Sequence, residues 1–243
     1  MQEQNIYDNP IFFEQYKSLR MNDTGLNGIM EEPALRALLP SLKGKVILDL
    51  GSGFGNFARY AHSAGAKKVY GVELSKNMIE QAAQLTHTDN VEYIQTSMTD
   101  LTMLNGNFDL VISSLAIHYI ENFNQLAITI YSQLKEGGKF IFSVEHPMCT
   151  AQSSSFTKND VGEFQCMAVD NYQDESIRHT TWFVDNVIKY HRTIESYVSG
   201  LLNAGFTLEA LKEPKVIPST LQEKPETAIF NRYSPFLLLS ARR

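Results

Sequence analysis

Three glycines, Gly51, Gly53 and Gly55, stand at alternate positions directly after Asp49 and an apolar run. Glycine lets the backbone turn tightly and lets a ligand lie against main-chain atoms that a Cβ would shield. Val46, Ile47, Leu48 and Leu50 before the turn read as a central parallel strand, and Phe57, Ala58, Tyr60, Ala61 and Ala64 after it recur at helical spacing. The turn thus presents a helix N-terminus, with its unpaired N–H groups, to whatever it holds. A dinucleotide fingerprint, GxGxxG, sets its third glycine under a pyrophosphate. In this chain Asn56 stands at that place, and Asp49 would repel a pyrophosphate at close range. The turn suits a cationic or hydrogen-donating ligand better.

A second carboxylate, Glu73, ends the strand-like run KKVYGVEL, where parallel α/β folds set an acid against a ribose. Strand ends on the carboxyl side of such a sheet converge on one crevice. That crevice would gather residues 49–55, Glu73, Ser97 with Met98, Ser114 with Leu115, and the residues after the fifth strand. Candidates for moving a proton are His118 after strand four, Glu145 and His146 after strand five, and Tyr190 and His191 in a later hairpin. His118 and His146 lead this set; Pro147 stiffens the turn at His146, and His191 reads as a packed hairpin residue.

The elements that must position these residues alternate. KKVYGVEL is a second strand, KNMIEQAAQL a helix capped by Ser75, VEYIQTSM a third strand, and FDLVISSLAIHYI a fourth strand passing into a turn. FNQLAITIYSQL is a helix, stopped by Gly137 and Gly138 before a fifth strand, KFIFSVE. This alternation implies a parallel, doubly wound sheet. Before it lies a leader with a short aromatic helix around Phe12 to Leu19, a turn-rich MNDTGLNG, and a helix from Pro33 to Leu39. From His146 the pattern breaks into a Ser-rich stretch, followed by a hairpin turning at Asp185 and Asn186. Thr193 caps a helix that Gly205 stops; FTLEAL is a sixth strand, Pro214 to Tyr233 is irregular, and PFLLLSARR is the last strand.

The 243 residues are enough for one large domain with a real core, and 43% hydrophobic with 20% charged residues excludes a disordered chain. A net charge of −6 argues against nucleic acid or an anionic membrane as partner. Cys149 and Cys166 are too few for a disulfide scaffold or zinc framework, which points to a reducing, cytoplasmic setting. MQEQNIYDNP lacks the make-up of a secretory signal, and no apolar run approaches the ~20 residues that span a bilayer.

VILDLGSGFG, GVELSKNMIEQA, FDLVISSLAIHYI and LKEGGKFIFSVEHP resemble the successive motifs of class I S-adenosylmethionine-dependent methyltransferases, in the group that contains the ubiquinone and menaquinone biosynthesis enzymes. The resemblance covers about residues 45 to 145. YDNPIFFEQY, EEPALRALLP, SVEHP, VDNYQDE and VIKYHRT extend it toward a bacterial subgroup of small-molecule methyltransferases. It implies a Rossmann-like α/β fold: a seven-stranded, mostly parallel sheet of order 3-2-1-4-5-7-6, its last strand antiparallel, with helices on both faces and a cap insertion after strand five. It divides the chain into an N-terminal helical lid (1–45), a cofactor-binding core (46–145), a cap for the acceptor (146–192) and a segment completing the sheet (193–243).

The same resemblance implies S-adenosyl-L-methionine as cofactor, with S-adenosyl-L-homocysteine as product and no metal. Asp49, Gly51, Ser52, Gly53 and Gly55 would hold its methionine and ribose, Glu73 and Leu74 the ribose side, Ser97 and Met98 the base, with Ser114 and Leu115 beside them. Tyr16 and Arg20 of the leader would close over it, Arg20 on its carboxylate. The group often carries an acid where this chain has Ser97, and GCG where it has GSG. A sulfonium zwitterion without phosphate agrees with the acidic turn and the missing third glycine. Neither the (D/N)PP(Y/F) motif of exocyclic-amine methylation nor the Pro-Cys nucleophile of cytosine methylation is present, so the expected acceptor is a small molecule. Phe156, Phe164, Trp182 and Phe183 suggest an aromatic or apolar one. Two rivals stand beside this reading: a non-catalytic S-adenosylmethionine-binding regulator, and a nicotinamide-dependent oxidoreductase, against which the GSGFG spacing speaks.

Overall fold

A computed structural model describes residues 3–21, 25–151 and 155–243, so the middle of the MNDTGLNG turn and the centre of the serine run lie outside the described residues. In chain order the elements are α1 (Pro10–Met21), α2 (Glu32–Leu38), β1 (Val46–Leu50), α3 (Asn56–Ser63), β2 (Lys68–Glu73), α4 (Lys76–Gln84), β3 (Val91–Gln95) and β4 (Phe108–Ser114). There follow α5 (Phe123–Gln133), β5 (Leu134–Glu145), α6 (Pro147–Thr150), β6 (Ser155–Lys158), β7 (Phe164–Ala168), β8 (Ile177–Trp182) and β9 (Val184–Tyr190). The chain closes with α7 (Ile194–Asn203), β10 (Thr207–Lys212), α8 (Pro218–Glu223) and β11 (Phe236–Arg242).

Seven of the strands form one sheet in the order β10-β11-β5-β4-β1-β2-β3. The five strands from β3 to β5 run parallel, while β11 is antiparallel to both β5 and β10. Counting the sheet strands alone, this is the expected 3-2-1-4-5-7-6 order. Strand alternation assigns the two faces. Leu48, Leu50, Val111, Phe140 and Phe142 pack with Phe123, Leu126, Tyr197 and Leu201 of α5 and α7. Ile47, Leu110, Ile112 and Ile141 pack with Leu35, Ala58 and Ala61 of α2 and α3. Each large side chain fully buried in these layers contributes roughly 1.5–3 kcal/mol, which holds the carboxyl ends of β1, β2, β4 and β5 in fixed register around one crevice.

Local chemistry places the helices as the sequence implies. Ser75 Oγ accepts from Met78 N–H at the start of α4, and Thr193 Oγ1 accepts from Ser196 N–H at the start of α7. Four expectations are corrected. Gly137 (φ +74°) does not stop α5; it lies within β5, in a bulge where the pairing with β4 slips between Phe108/Leu134 and Leu110/Lys139. The β8–β9 hairpin turns at Phe183 (φ +60°), while Asp185 and Asn186 (φ +62°) form a bulge in β9. The stretch 214–233, expected to be irregular, carries α8 and a 3-10 run Pro225–Asn231. A π-helical turn, Asn27–Glu31, leads into α2 where a turn was expected. Among the described residues no helix is long and apolar enough to cross a membrane.

The β1–α3 turn uses its glycines differently. Gly53 (φ +51°) has open space where a Cβ would stand, whereas a Cβ on Gly55 (φ +72°) would lie 1.9 Å from the Tyr93 hydroxyl of β3. Gly55→Ala should therefore lower stability by about 3 kcal/mol, a left-handed residue and an overpacked contact together, against about 1 kcal/mol for Gly53→Ala. Denaturant midpoints of the two variants check this, and equal midpoints would contradict it.

Candidate functional site

The turn after β1 is lashed to the end of β2. Gly51 N–H and Ser52 N–H both donate to Val72 O (2.8 and 3.0 Å), and Gly53 N–H donates to Glu73 Oε2 (2.9 Å). A Cβ on Gly51 would meet the Ala116 Cβ at 2.5 Å, so this glycine is needed for the close approach of the segment after β4. Glu73 Oε1 accepts from Ser75 N–H (3.0 Å).

Asp49 is 3% exposed, and its Oδ2 has no hydrogen-bond partner among the described residues; the neighbouring Ser52 Oγ is buried and unpartnered too. Burial, and then the nearby Glu73 carboxylate, push the Asp49 carboxyl up to about 8. An unpaired buried acceptor of this kind is costly, and a hydrogen-donating cation beside it would relieve that cost. These orphaned atoms fit the ammonium of a sulfonium amino acid, and open space at Gly53 fits close backbone approach.

Two clefts meet at this turn, and a third joins them at Tyr16 and Leu115. The first, about 680 Å³, is lined by Gly51, Gly53, Glu73, Leu74, Met98 and the leader residues Glu3 to Tyr7. The second, about 740 Å³, holds Asp49, Ser52, Arg20 and Glu31. Tyr16, Gly51, Gly53, Ser114 and Leu115 border both. The third, about 800 Å³, has walls of Tyr7, Tyr16, Tyr119, Trp182 and Phe236, with Arg20, His118 and Glu145. Leu115 touches all three and has a left-handed backbone (φ +51°). Its N–H donates to Ser143 O (3.1 Å) and Ser143 Oγ (3.0 Å), and buried Glu31 accepts from Ser143 Oγ (2.5 Å) and Ser114 Oγ (2.9 Å). A strained residue persists where its neighbours over-determine it, and this network does so.

The expected site residues divide accordingly. Tyr16, Arg20, Asp49, Gly51, Ser52, Gly53, Glu73, Leu74, Met98, Ser114 and Leu115 line the first two clefts. Gly55 does not, since it packs on Tyr93. Ser97 lines none of the three clefts; its hydroxyl donates to Glu3 Oε2. Among the described residues no carboxylate forms an ion pair with Arg20. His118 lines the third cleft, with Nδ1 accepting from Glu145 N–H (3.5 Å). Burial, with Lys189 and Arg192 adding to it against Glu145, drives His118 down to about 4, so its ring is neutral near pH 7. Burial would raise Glu145, but His118 and Lys189 (2.5 Å from Oε1) outweigh it and hold the carboxylate below its usual range.

His146 is set apart from these clefts. Its Nδ1 accepts from Met148 N–H (3.1 Å) to cap α6 and its Nε2 faces Glu213 Oε1 (2.8 Å), so both nitrogens are engaged. His191 is packed as expected, against Thr150 Oγ1 (2.7 Å) and Tyr172 O (2.9 Å). Of the four insertion aromatics only Trp182 reaches the third cleft. Phe183 stacks on Trp182 at 4.9 Å, and Phe156 packs on Phe164 and Tyr233. The remaining aromatic walls come from the leader, the segment after β4 and, at Phe236, β11.

Sequence reading missed Glu3, Asn5 and Tyr7, which precede any periodic element, and Glu31, which passes for an ordinary first-turn acid before Pro33. It also missed Asp8, whose carboxylate accepts from Ser75 Oγ (2.6 Å) and Asn77 N–H (3.1 Å), docking the leader on the start of α4. An acid just before an uncharged helix start was the available signal.

A methyltransferase-domain family matches residues 48–142. An uncharacterised protein of Haemophilus influenzae is 35% identical over 98% of this chain and 96% of its own. The crystal structure of an S-adenosylmethionine-dependent methyltransferase from Mesorhizobium loti is 37% identical with a TM-score of 0.82, over 90% of this chain and all of that one. A malonyl-[acyl-carrier protein] O-methyltransferase of Enterobacter lignolyticus is 30% identical over 45% of this chain and 43% of its own length.

A carboxyl raised in the fold favours folding fully below its unfolded pKa of ~3.9, and that advantage is lost as pH rises toward the folded value. In the ligand-free chain, Asp49→Asn should therefore flatten part of the fall in melting temperature between pH 5 and 8. Thermal melts across that window test this; an unchanged slope would show that Asp49 already has a partner.

Proposed function

The chain belongs to the class I S-adenosylmethionine-dependent methyltransferases, and from that premise we propose that it methylates a small-molecule acceptor seated in the cleft of Tyr7, Tyr16, Tyr119 and Trp182. The observation that carries this reading is the meeting of the three clefts at Leu115 and Tyr16. A ligand filling the first two would present its centre to the third.

Asp49 and Ser52 would take the cofactor's ammonium, Arg20 its carboxylate, Glu73 its ribose hydroxyls, and Leu74 and Met98 the faces of its base. When bound, S-adenosylmethionine supplies an electrophilic methyl carbon on a sulfonium. Positioning and exclusion of water are then the protein's main work. The leader serves as the lid and residues 146–192, through Trp182, as the cap on the acceptor. Neutral His118 has Nδ1 engaged, which leaves Nε2–H to donate. Glu145, kept ionised by the Lys189 ammonium, is suited to orient a hydroxyl or amine of the acceptor. A base is required only where the acceptor keeps its proton at neutral pH. His146 would act by fixing the turn after β5 rather than by touching the acceptor. The net acidity and two cysteines support a cytoplasmic enzyme that does not handle nucleic acid.

Transfer of labelled methyl from the cofactor into the low-molecular-weight fraction of a metabolite extract is the expected result. Arg20→Ala should weaken S-adenosylhomocysteine binding by about tenfold, the loss of one charge-assisted contact. Label appearing only in macromolecules would overturn the acceptor class. Cofactor binding without any transfer would favour the regulatory rival, and NAD binding in its place the oxidoreductase.

A further inference from the structure

The first cleft ends at a carboxylate that the leader contributes. Glu3 lines it together with Leu74, Met78 and Met98, and Glu3 Oε2 accepts a hydrogen bond from Ser97 Oγ just after β3. The leader is tied down at two points after this contact. Gln4 pairs with β9, donating to Asn186 O (2.9 Å) and accepting from Ile188 N–H (2.9 Å). Asp8 is fixed to the start of α4 as described above. Ser97 in turn accepts from Thr99 N–H (3.0 Å), which leaves its own proton for Glu3. Asn5 Oδ1 lies in the same wall, buried and without a hydrogen-bond partner.

The wall thus sets the apolar Leu74, Met78 and Met98 beside two acceptors of the leader, the Glu3 carboxylate and Asn5 Oδ1. A flat ring fits such a slot if its edge carries donors; one whose edge carries a carbonyl meets a carboxylate with nothing between them. Resting on the cofactor reading above, we propose that Glu3 reads the exocyclic amine of the cofactor's purine, with Ser97 as the positioning residue that orients its carboxylate. The acid that the position of Ser97 lacks is supplied from the other end of the sequence. Gln4 joins the same strap to the hairpin that carries Trp182, so the residue that selects the base is continuous with a wall of the acceptor cleft.

Calorimetric titration with S-adenosylhomocysteine and with S-inosylhomocysteine, whose purine carries a carbonyl in place of the amine, tests this. A site built to accept from an amine rejects the analogue that lacks it. The wild-type chain should prefer the adenosyl compound by at least about tenfold. Glu3→Ala should lose about that factor for the adenosyl compound and nothing for the inosyl one, bringing the ratio near one. Glu3→Gln, whose amide can also donate, should bind the inosyl compound more tightly than wild type, and Ser97→Ala should lower the preference in part. A Glu3→Ala variant that keeps the wild-type ratio, or weakens both compounds equally, would show that Glu3 only anchors the strap. A wild-type chain that binds both compounds equally overturns this inference alone. One that binds neither overturns the cofactor reading with it.

Discussion

A carboxylate buried at the carboxyl end of the central strand, with one oxygen unpartnered, is the constraint around which the rest of the structure is arranged. Asp49 sits between two packed faces, so it cannot turn to solvent, and Glu73 beside it makes ionisation harder still. A core that only had to be stable would place an apolar side chain at this position. The fold instead keeps the carboxylate and surrounds it with backbone bent for close approach. Gly51 and Gly53 bend the turn, Val72 O and Glu73 pin it, and the Glu31–Ser143 network holds Leu115 in a conformation it would not otherwise adopt. The unpartnered Asp49 oxygen and the left-handed Leu115 each cost the ligand-free chain some stability.

The leader is the second half of that arrangement. Tyr7 and Tyr16 each border more than one cleft, and their rings meet edge to face at 5.1 Å. Burial holds both phenols protonated, so they present donors and ring faces rather than charge to the junction. Contacts between residues far apart in sequence, Glu3 with Ser97, Gln4 with Ile188 and Asp8 with Ser75, set these rings in place.

What the sequence revealed follows from the range of the interaction involved. The sheet order, the caps at Ser75 and Thr193 and the glycine turn rest on periodicity and on contacts a few residues apart, and each is legible in a short window. Gly137 was misread because a positive φ serves a β-bulge as well as a helix end, and only pairing with β4 decides between them. Phe183 as the hairpin turn was hidden by Asp185 and Asn186, whose turn chemistry is used in the adjoining bulge. The first two clefts were legible through Asp49 and Glu73, which sit near strand ends. His146 looked equivalent to His118 because both follow strands, yet capping of α6 and the Glu213 contact claim one and cavity exposure the other. Nothing local in Glu3, Tyr7 or Glu31 marks them, since their partners lie far away in sequence.

The leader also removes the independence of the clefts. Tyr16 is a wall of all three, and Tyr7 of the first and third, so the third cleft, the acceptor's in the function proposed above, has its full shape only while the leader lies across the first two. A ligand that touches Glu3, Asn5 or Arg20 bears on the same segment that encloses the acceptor. Because interaction energies between sites are reciprocal, an acceptor packed against Tyr7 and Tyr16 must bear on the cofactor clefts to the same extent. In that proposed function, filling the cofactor clefts and shaping the acceptor cleft are one structural event, and the segment that couples them lies outside the sheet that defines the family.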